Sequence, residues 1–191
     1  MNSRRLALLV VAAWAFLACG LPKDGSPRQI ADDKVPFGLL GPSTTTPGND
    51  VAGGSLVQLF FIDGTQLRAV NRTVPNRDPK TVLGELVKGV TETDPAGITT
   101  AIPKDTQILD AVRVGDTLVV TLNNAILTVS GAEQQNAFGQ LVYTATDLAS
   151  AGVQFRVTDA SGAQQDVQPL TDVGQKAGPL TRQDFSKLRP T

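Results

Sequence analysis

The sequence predicts one small α+β domain, in which a mixed or antiparallel sheet carries two helices packed on one face. Twice along the chain, two strand-like runs joined by a short glycine turn precede a stretch with helical spacing, and a further alternating strand ends the series. The chain of 191 residues is 41% hydrophobic and 18% charged, which is typical of a globular protein. The two hairpin–helix halves form a weak structural pseudo-repeat, although their sequences do not visibly match.

The first half is predicted to be a hairpin followed by a helix. Residues 56–62 are almost all apolar, Asp63-Gly64 is a hairpin turn signal, and residues 67–74 are the expected returning strand. Asp78 is the predicted N-cap, since a proline follows it at the first helical position, and Gly89 is the predicted stop. The apolar residues that recur at helical spacing in this region are Val82, Leu83, Leu86, Val87 and Val90.

The second half repeats this order. Residues 106–114 and 117–122 are the predicted strands, and residues 153–157 alternate as a final strand. Ser130 and Glu133 have the three-residue offset of a capping box, which predicts that a helix begins there. The residues that this helix is expected to bury are Ala137, Phe138, Leu141, Val142, Ala145 and Leu148.

Composition divides the chain into four segments. Residues 1–18 are predicted to be a lipoprotein signal peptide, and residues 19–54 a tether rich in proline, glycine, serine and threonine. The folded domain is predicted to span residues 55–160. Residues 161–191 form a polar C-terminal extension, with a short edge element expected near residues 180–185.

The N-terminus is typical of an exported protein. Arg4 and Arg5 precede an apolar run over residues 6–18, which is shorter than a membrane span. Residues 16–19, with the sequence Phe-Leu-Ala-Cys, resemble the lipobox of bacterial lipoproteins, in which a peptidase cuts before a cysteine that receives a diacylglycerol. The resemblance implies that Cys19 is acylated, that it is labelled by palmitate, and that it anchors the protein extracytoplasmically to the cell membrane. The alternatives are an ordinary signal peptide and a buried N-terminal helix.

Composition also excludes several classes of function. A net charge of −1 argues against a general nucleic-acid binder, which needs a basic surface. The chain has no histidine, which excludes His-ligated zinc and Ser-His or Cys-His catalysis, and its single cysteine excludes an internal disulfide. There is no calcium-loop spacing and no glycine-rich phosphate loop, so neither a metal nor a cofactor is expected.

Carboxylates are the remaining candidates for catalysis. A glycosidase needs only two that are correctly placed, so a cell-wall carbohydrate hydrolase stays open as an alternative. Asp63 and Asp116 are explained by hairpin turns and Asp78 by a helix start, which favours a protein that is not an enzyme. The carboxylates in or beside loops are Asp63, Glu92, Asp94, Asp105, Asp110 and Asp116.

One face of the second helix is the candidate contact with a protein partner. Tyr143, the only tyrosine, lies about 140° around the helix from Phe138. Asn136, Gln140 and Asp147 accompany it, which predicts an exposed polar face with one aromatic residue, and tyrosine is enriched at interaction hot spots. The alternative is that the ring packs over the helix flank and its hydroxyl reaches the backbone.

Four segments together resemble the GerMN domain family, which is named from a sporulation and spore germination protein. They are residues 59–64, 97–103, 139–144 and 180–185. A lipobox, a proline-rich tether and one such domain are similar to the GerMN lipoproteins of actinobacteria. The resemblance implies a lipid-anchored, non-enzymatic interaction or scaffolding module that binds another envelope protein. A small-ligand-binding lipoprotein is a further alternative.

Overall fold

The computed structural model describes residues 50–51 and 53–190, and within them the predicted α+β fold is confirmed. The predicted signal peptide, Cys19 and nearly all of the predicted tether lie outside the described residues. The strands are β1 Asp50–Val51, β2 Gly54–Asp63, β3 Gln66–Val74, β4 Ile98–Thr99, β5 Ile108–Val114, β6 Thr117–Asn123, β7 Gly152–Thr158, β8 Gln164–Asp166, β9 Leu170–Thr171 and β10 Gly174–Gln175. The helices are α1 Pro79–Val87 and α2 Gly131–Asp147, with 3-10 helices at Asn124–Thr128 and Arg182–Leu188.

Hydrogen bonding places the two hairpins in two different four-stranded sheets. In the first sheet β2 pairs with β3 along its whole length, while β1 and β4 pair with the two ends of its other edge. In the second sheet, of order β5-β6-β7-β8, β6 and β7 are parallel and α2 lies between them in the chain. The second sheet is therefore mixed, and the first is antiparallel in its described strands.

The hairpin turn and the ends of α1 form where the sequence predicts them. The pairing of Asp63 with Gln66 leaves Gly64 in the two-residue turn, with a φ of +62° that suits glycine. The Asp78 carboxylate accepts a hydrogen bond of 3.2 Å from the backbone N–H of Thr81, as an N-cap should. These local signals act within a few residues and need no tertiary contact.

The capping box predicted at Ser130 and Glu133 is wrong. Ser130 is the N-cap of α2, but its side chain makes no capping hydrogen bond. Gly131 has a φ of +58°, so the backbone does not enter the helix in the conformation that brings an N-cap oxygen to the third amide. Among the described residues, the capping box belongs instead to Thr181 and Asp184, where the 3-10 helix Arg182–Leu188 begins.

The core lies between the sheets and α2. All nine residues from Ala137 to Ala145 are buried, so α2 is enclosed around most of its circumference. Phe138 meets Phe155 of β7 edge to face, with ring centroids 5.0 Å apart. Helix α2 is therefore buried by residues of both sheets.

The C-terminal segment contributes to the same core. Leu180 forms a β-bridge with Val153 of β7, and Phe185 and Leu188 are buried. The absence of a side chain at Gly139 lets this segment approach α2, since a Cβ there would clash with the Leu188 Cδ1 atom. The buried core thus continues past residue 160. No helix in the described part of the chain is long and apolar enough to cross a membrane.

Candidate functional site

The polar face predicted on α2 is buried at its centre. Gln140 is fully buried and Tyr143 is only 3% exposed, while Asn136 and Asp147 are half-buried. The expectation that Gln140 and Tyr143 are exposed is therefore wrong. Strand β2 and the C-terminal 3-10 helix pack on this side of α2, and helical periodicity does not reveal such long-range contacts.

Gln140 completes the edge of β2 between β1 and β4. Its Nε2 atom donates to the carbonyl oxygen of Phe60 at 3.0 Å, and its Oε1 atom accepts from the backbone N–H of Ala101 at 2.8 Å. The Thr144 hydroxyl accepts from the backbone N–H of Phe60 at 3.2 Å. Two side chains of a helix thus take the place of a neighbouring strand and satisfy backbone groups that would otherwise be buried unpaired.

Tyr143 is held by the C-terminal segment. Its hydroxyl lies 3.4 Å from the carbonyl oxygens of both Arg182 and Phe185, to which it donates, and its ring centroid is 5.6 Å from that of Phe60. Burial raises the pKa of Tyr143, while the positive charges of Arg182 and Arg189 oppose the rise. The ring packs over the helix flank and the hydroxyl reaches the backbone, which is a structural role.

The candidate carboxylates differ in exposure, and Asp94 is the one whose side chain is buried. Asp94 has a side chain only 3% exposed and forms an ion pair with Arg72, which also reaches Glu85 at 3.4 Å. Burial acts to raise the pKa of Asp94, but hydrogen bonds from Arg72 and Thr91 outweigh it and hold the pKa below its usual value. A general acid needs a raised pKa, so Asp94 serves as a structural anion. The exposed members of the predicted set are Asp63, Glu92, Asp105, Asp110 and Asp116.

This buried ion pair was not found by sequence reasoning. Arg72 shares the inward face of β3 with Val70 and Val74, and its guanidinium lies 4.9 Å from the ring centroid of Phe61. Arg72 has the same strand alternation as two apolar valines that face inward, and this pattern in the sequence could have indicated a buried charge with a partner. The described residues contain no cluster of three metal-ligating side chains of the kinds His, Cys, Asp and Glu.

The outer face of the second sheet is partly uncovered by the described residues, since β5 exposes valines there while Thr121 of β6 is buried. On β6, Leu118, Val120 and Leu122 are fully buried, so the alternate residues of the strand face outward. We call this surface the open sheet face; it is lined by Asp110, Val112, Val114, Thr117, Val119, Thr121, Gln154, Arg156, Gln164 and Pro179. It encloses a shallow hollow of about 500 Å³.

Apolar residues form the centre of the open sheet face. Val112 and Val114 are 49% and 63% exposed, and Val119 lies directly opposite Val112 in the register of β5 and β6. Arg156, at one end, pairs with Asp166 of β8 at 3.0 Å. An apolar centre with a polar rim is the usual composition of a protein–protein contact.

A second surface feature lies at the C-terminus. The basic pocket, as we name it, has a volume of about 390 Å³ and is lined by Tyr143, Arg182, Gln183, Ser186, Arg189 and Pro190. Its charged lining residues are both arginines.

Comparison with known proteins gives one family and a shared fold. The family model described as "Germane: Sporulation and spore germination" matches residues 58–161. The first GerMN domain of the sporulation protein GerM from Bacillus subtilis is 21% identical, with a TM-score of 0.53, over 67% of this chain and 98% of that domain. The tandem GerMN domains of the same protein are 15% identical, with a TM-score of 0.47, over 71% of this chain. This chain spans 47% of that tandem structure. A search of curated protein sequences found no match.

Proposed function

Because the chain belongs to the sporulation and spore germination family, Germane, we propose that it is a non-enzymatic envelope protein that binds another envelope protein. The lipobox at residues 16–19 supports anchoring through a diacylated Cys19 to the outer face of the cytoplasmic membrane. More than one acyl chain is needed for firm anchoring, and lipoprotein processing supplies it. Residues 20–54 then act as the tether of the domain.

The open sheet face is the observation that carries the proposed binding role. Val112, Val114 and Val119 form an apolar centre, and a partner that covers them gains on the order of 25 cal/mol for each Å² removed from water. Thr117, with the other polar residues around them, supplies hydrogen-bonding groups at the rim. A partner of complementary chemistry presents an apolar surface with polar edges.

Two matched substitutions test the proposal. Val114→Asp places a charge at the centre of the open sheet face, whereas Val173→Asp places one on an 89%-exposed valine between β9 and β10. A photoreactive amino acid at position 112 of the full chain, on the same face, is introduced into the original chain and into each variant in its own cells, and identifies what contacts that face. We expect one protein to be crosslinked from position 112 in the original chain and in Val173→Asp, and to be lost in Val114→Asp. Equal recovery from both variants, or turnover of cell-wall fragments by the purified chain, contradicts the proposal.

The anchor has an independent test. Cys19 is the only cysteine of the chain, so Cys19→Ser should abolish labelling by radioactive palmitate and leave an unprocessed or released protein. Ala13→Ser, which also introduces a hydroxyl near this site but spares the thiol, is the control and should still be labelled. Persistent lipid labelling of Cys19→Ser would end the lipoprotein interpretation.

A further inference from the structure

The hollows of the described residues differ in the balance of charge that lines them. Beside β3, Arg68 and Arg72 are opposed by Glu85 and Asp94 in the same lining. On the open sheet face, Arg156 and Asp110 line the same hollow, which therefore also carries both signs. A hollow beside Ala151 is lined by Arg182 and no acidic residue, and the basic pocket adds Arg189 to Arg182, so it has the most positive lining of these hollows.

From this imbalance we propose that the basic pocket binds a phosphate group through Arg182 and Arg189. The proposal concerns a small-ligand site on a different surface from the open sheet face, and it does not depend on the protein partner proposed there. The whole chain has a net charge of −1, so the positive lining is not a consequence of a generally basic protein.

Arg182 is fixed in place before any ligand binds. Its Nε atom donates to the Thr146 hydroxyl at 2.7 Å, and its Nη2 atom donates to the carbonyl oxygen of Tyr143 at 3.0 Å. The guanidinium lies over two rings, 5.4 Å from the centroid of Phe60 and 5.2 Å from that of Tyr143. A guanidinium held on several sides loses little conformational freedom on binding an anion.

Part of the hydrogen-bonding capacity of Arg182 is unused. None of its hydrogen bonds to other described residues involves Nη1. Asp147 lies 3.4 Å from Nη2 and offsets part of the charge, but it is not in the lining of the pocket. The side chain of Arg182 remains 41% exposed, which leaves it accessible to a ligand.

Arg189 supplies the second cation. It follows the 3-10 helix Arg182–Leu188 and is exposed, and its guanidinium makes no ion pair with a carboxylate of the described residues. The exposed Gln183 adds an amide to the same lining. Ser186 also lines the pocket, but its hydroxyl already donates to Asp172 at 2.8 Å.

Two guanidinium groups favour phosphate over carboxylate. Arg182 can donate from its unused Nη1 atom and Arg189 from its planar fork, and phosphate offers oxygens on several sides to accept from both, whereas the Arg189 fork alone can occupy both oxygens of a carboxylate. Inorganic phosphate, a soluble phosphate ester and the headgroup of an anionic lipid share this chemistry. The proposed site is therefore one for the phosphate group itself, and the test shows which of these molecules carries it.

The test compares two arginine substitutions in the full chain. Arg189→Gln removes a cation from the pocket, and Arg77→Gln removes an exposed one that does not line it. Binding of inorganic phosphate, of acetate, and of monomeric short-chain phosphatidylglycerol is followed by calorimetry. We expect phosphate to bind the original chain and Arg77→Gln equally, and Arg189→Gln about tenfold more weakly, because one charge-assisted hydrogen-bonding group is lost.

The outcomes separate the sources. Phosphatidylglycerol that competes with phosphate and is weakened by Arg189→Gln indicates a membrane lipid, and phosphate binding alone indicates a soluble phosphate group; both support the proposal. No phosphate binding, equal losses in both variants, or acetate that binds as well as phosphate overturns it. Arg182→Lys, which keeps the charge but removes the Nη1 donor, should also weaken binding. Denaturant melts of Arg189→Gln and Arg182→Lys check that both chains are folded.

Discussion

The two strand–strand–helix units have the same order but are covered differently. In β2 the four consecutive residues from Leu59 to Ile62 are all buried, so both faces of that strand are covered. In β6 residues 120–122 are also buried, but on the outer face of that sheet Val119 is only half-buried and the neighbouring β5 exposes Val112 and Val114. The two units therefore differ in how much of one sheet face they leave exposed. The comparison indicates that the first unit mainly builds the core, whereas the second also presents a surface.

Helix α2 contacts both units. Through Gln140 and Thr144 this helix hydrogen-bonds to the edge of β2, and through Phe138 it packs on the inner face of the second sheet. One helix therefore serves both units. Removing single contacts of α2 should show which unit depends on it more.

Phe138→Ala should have the largest effect, because it removes the ring that α2 packs against Phe155. Phe138 is fully buried, and truncation of such a residue costs roughly 3–5 kcal/mol of the free energy of unfolding. A denaturant melt followed by circular dichroism measures the loss. Val114→Ala, on the open sheet face, is the control and should change the free energy by no more than about 0.5 kcal/mol. Similar losses in the two variants would remove the distinction between covered and open surfaces.

Gln140→Ala should follow in size. The substitution leaves the buried carbonyl of Phe60 without its partner, which costs about 1–3 kcal/mol, and the half-buried N–H of Ala101 without its partner, which costs about 1 kcal/mol. We therefore expect a loss of roughly 2–4 kcal/mol in the same melt. Gln165→Ala, at an exposed position of β8, should be close to neutral. A neutral Gln140→Ala would show that the edge of β2 does not need the helix.

Sequence reasoning reached the features that depend on near neighbours. Asp63-Gly64, the Asp78 cap and the alternation of residues 153–157 act over a few residues, and the structure has them. Gln140 and Tyr143 were placed wrongly because their contacts lie 80 and 42 residues away along the chain. Helical periodicity separates apolar from polar positions, but it does not show that a polar side chain has a buried partner.

Asp94→Asn tests a stabilising contact within the first unit as pH changes. The folded-state pKa of Asp94 is lowered, so its ion pair with Arg72 contributes stability above the unfolded pKa of about 3.9 and loses it as pH falls through the folded pKa. At neutral pH we expect a loss of about 1.5–3 kcal/mol, since a hydrogen bond to a charged group is weakened. Melts at a series of pH values should show the difference from the original chain shrinking below about pH 4. A difference that does not depend on pH would assign the effect to packing.

The smallest expected effect comes from comparing two adjacent residues of β6. Val120→Thr places a hydroxyl among buried apolar side chains, because Val120 is fully buried, and should cost about 1–3 kcal/mol. Val119→Thr makes the same isosteric change on the open sheet face, between Thr117 and Thr121, and should shift the free energy of unfolding by no more than about 0.5 kcal/mol. Successive residues of a strand point to opposite faces, so Val119 and Val120 lie on different sides of the sheet. The two substitutions are the same in volume and chemistry, and they differ in whether other residues cover the side chain. If Val119→Thr cost as much as Val120→Thr, the outer face would be covered in solution, and the open sheet face would already be occupied by another part of the chain or by a second copy.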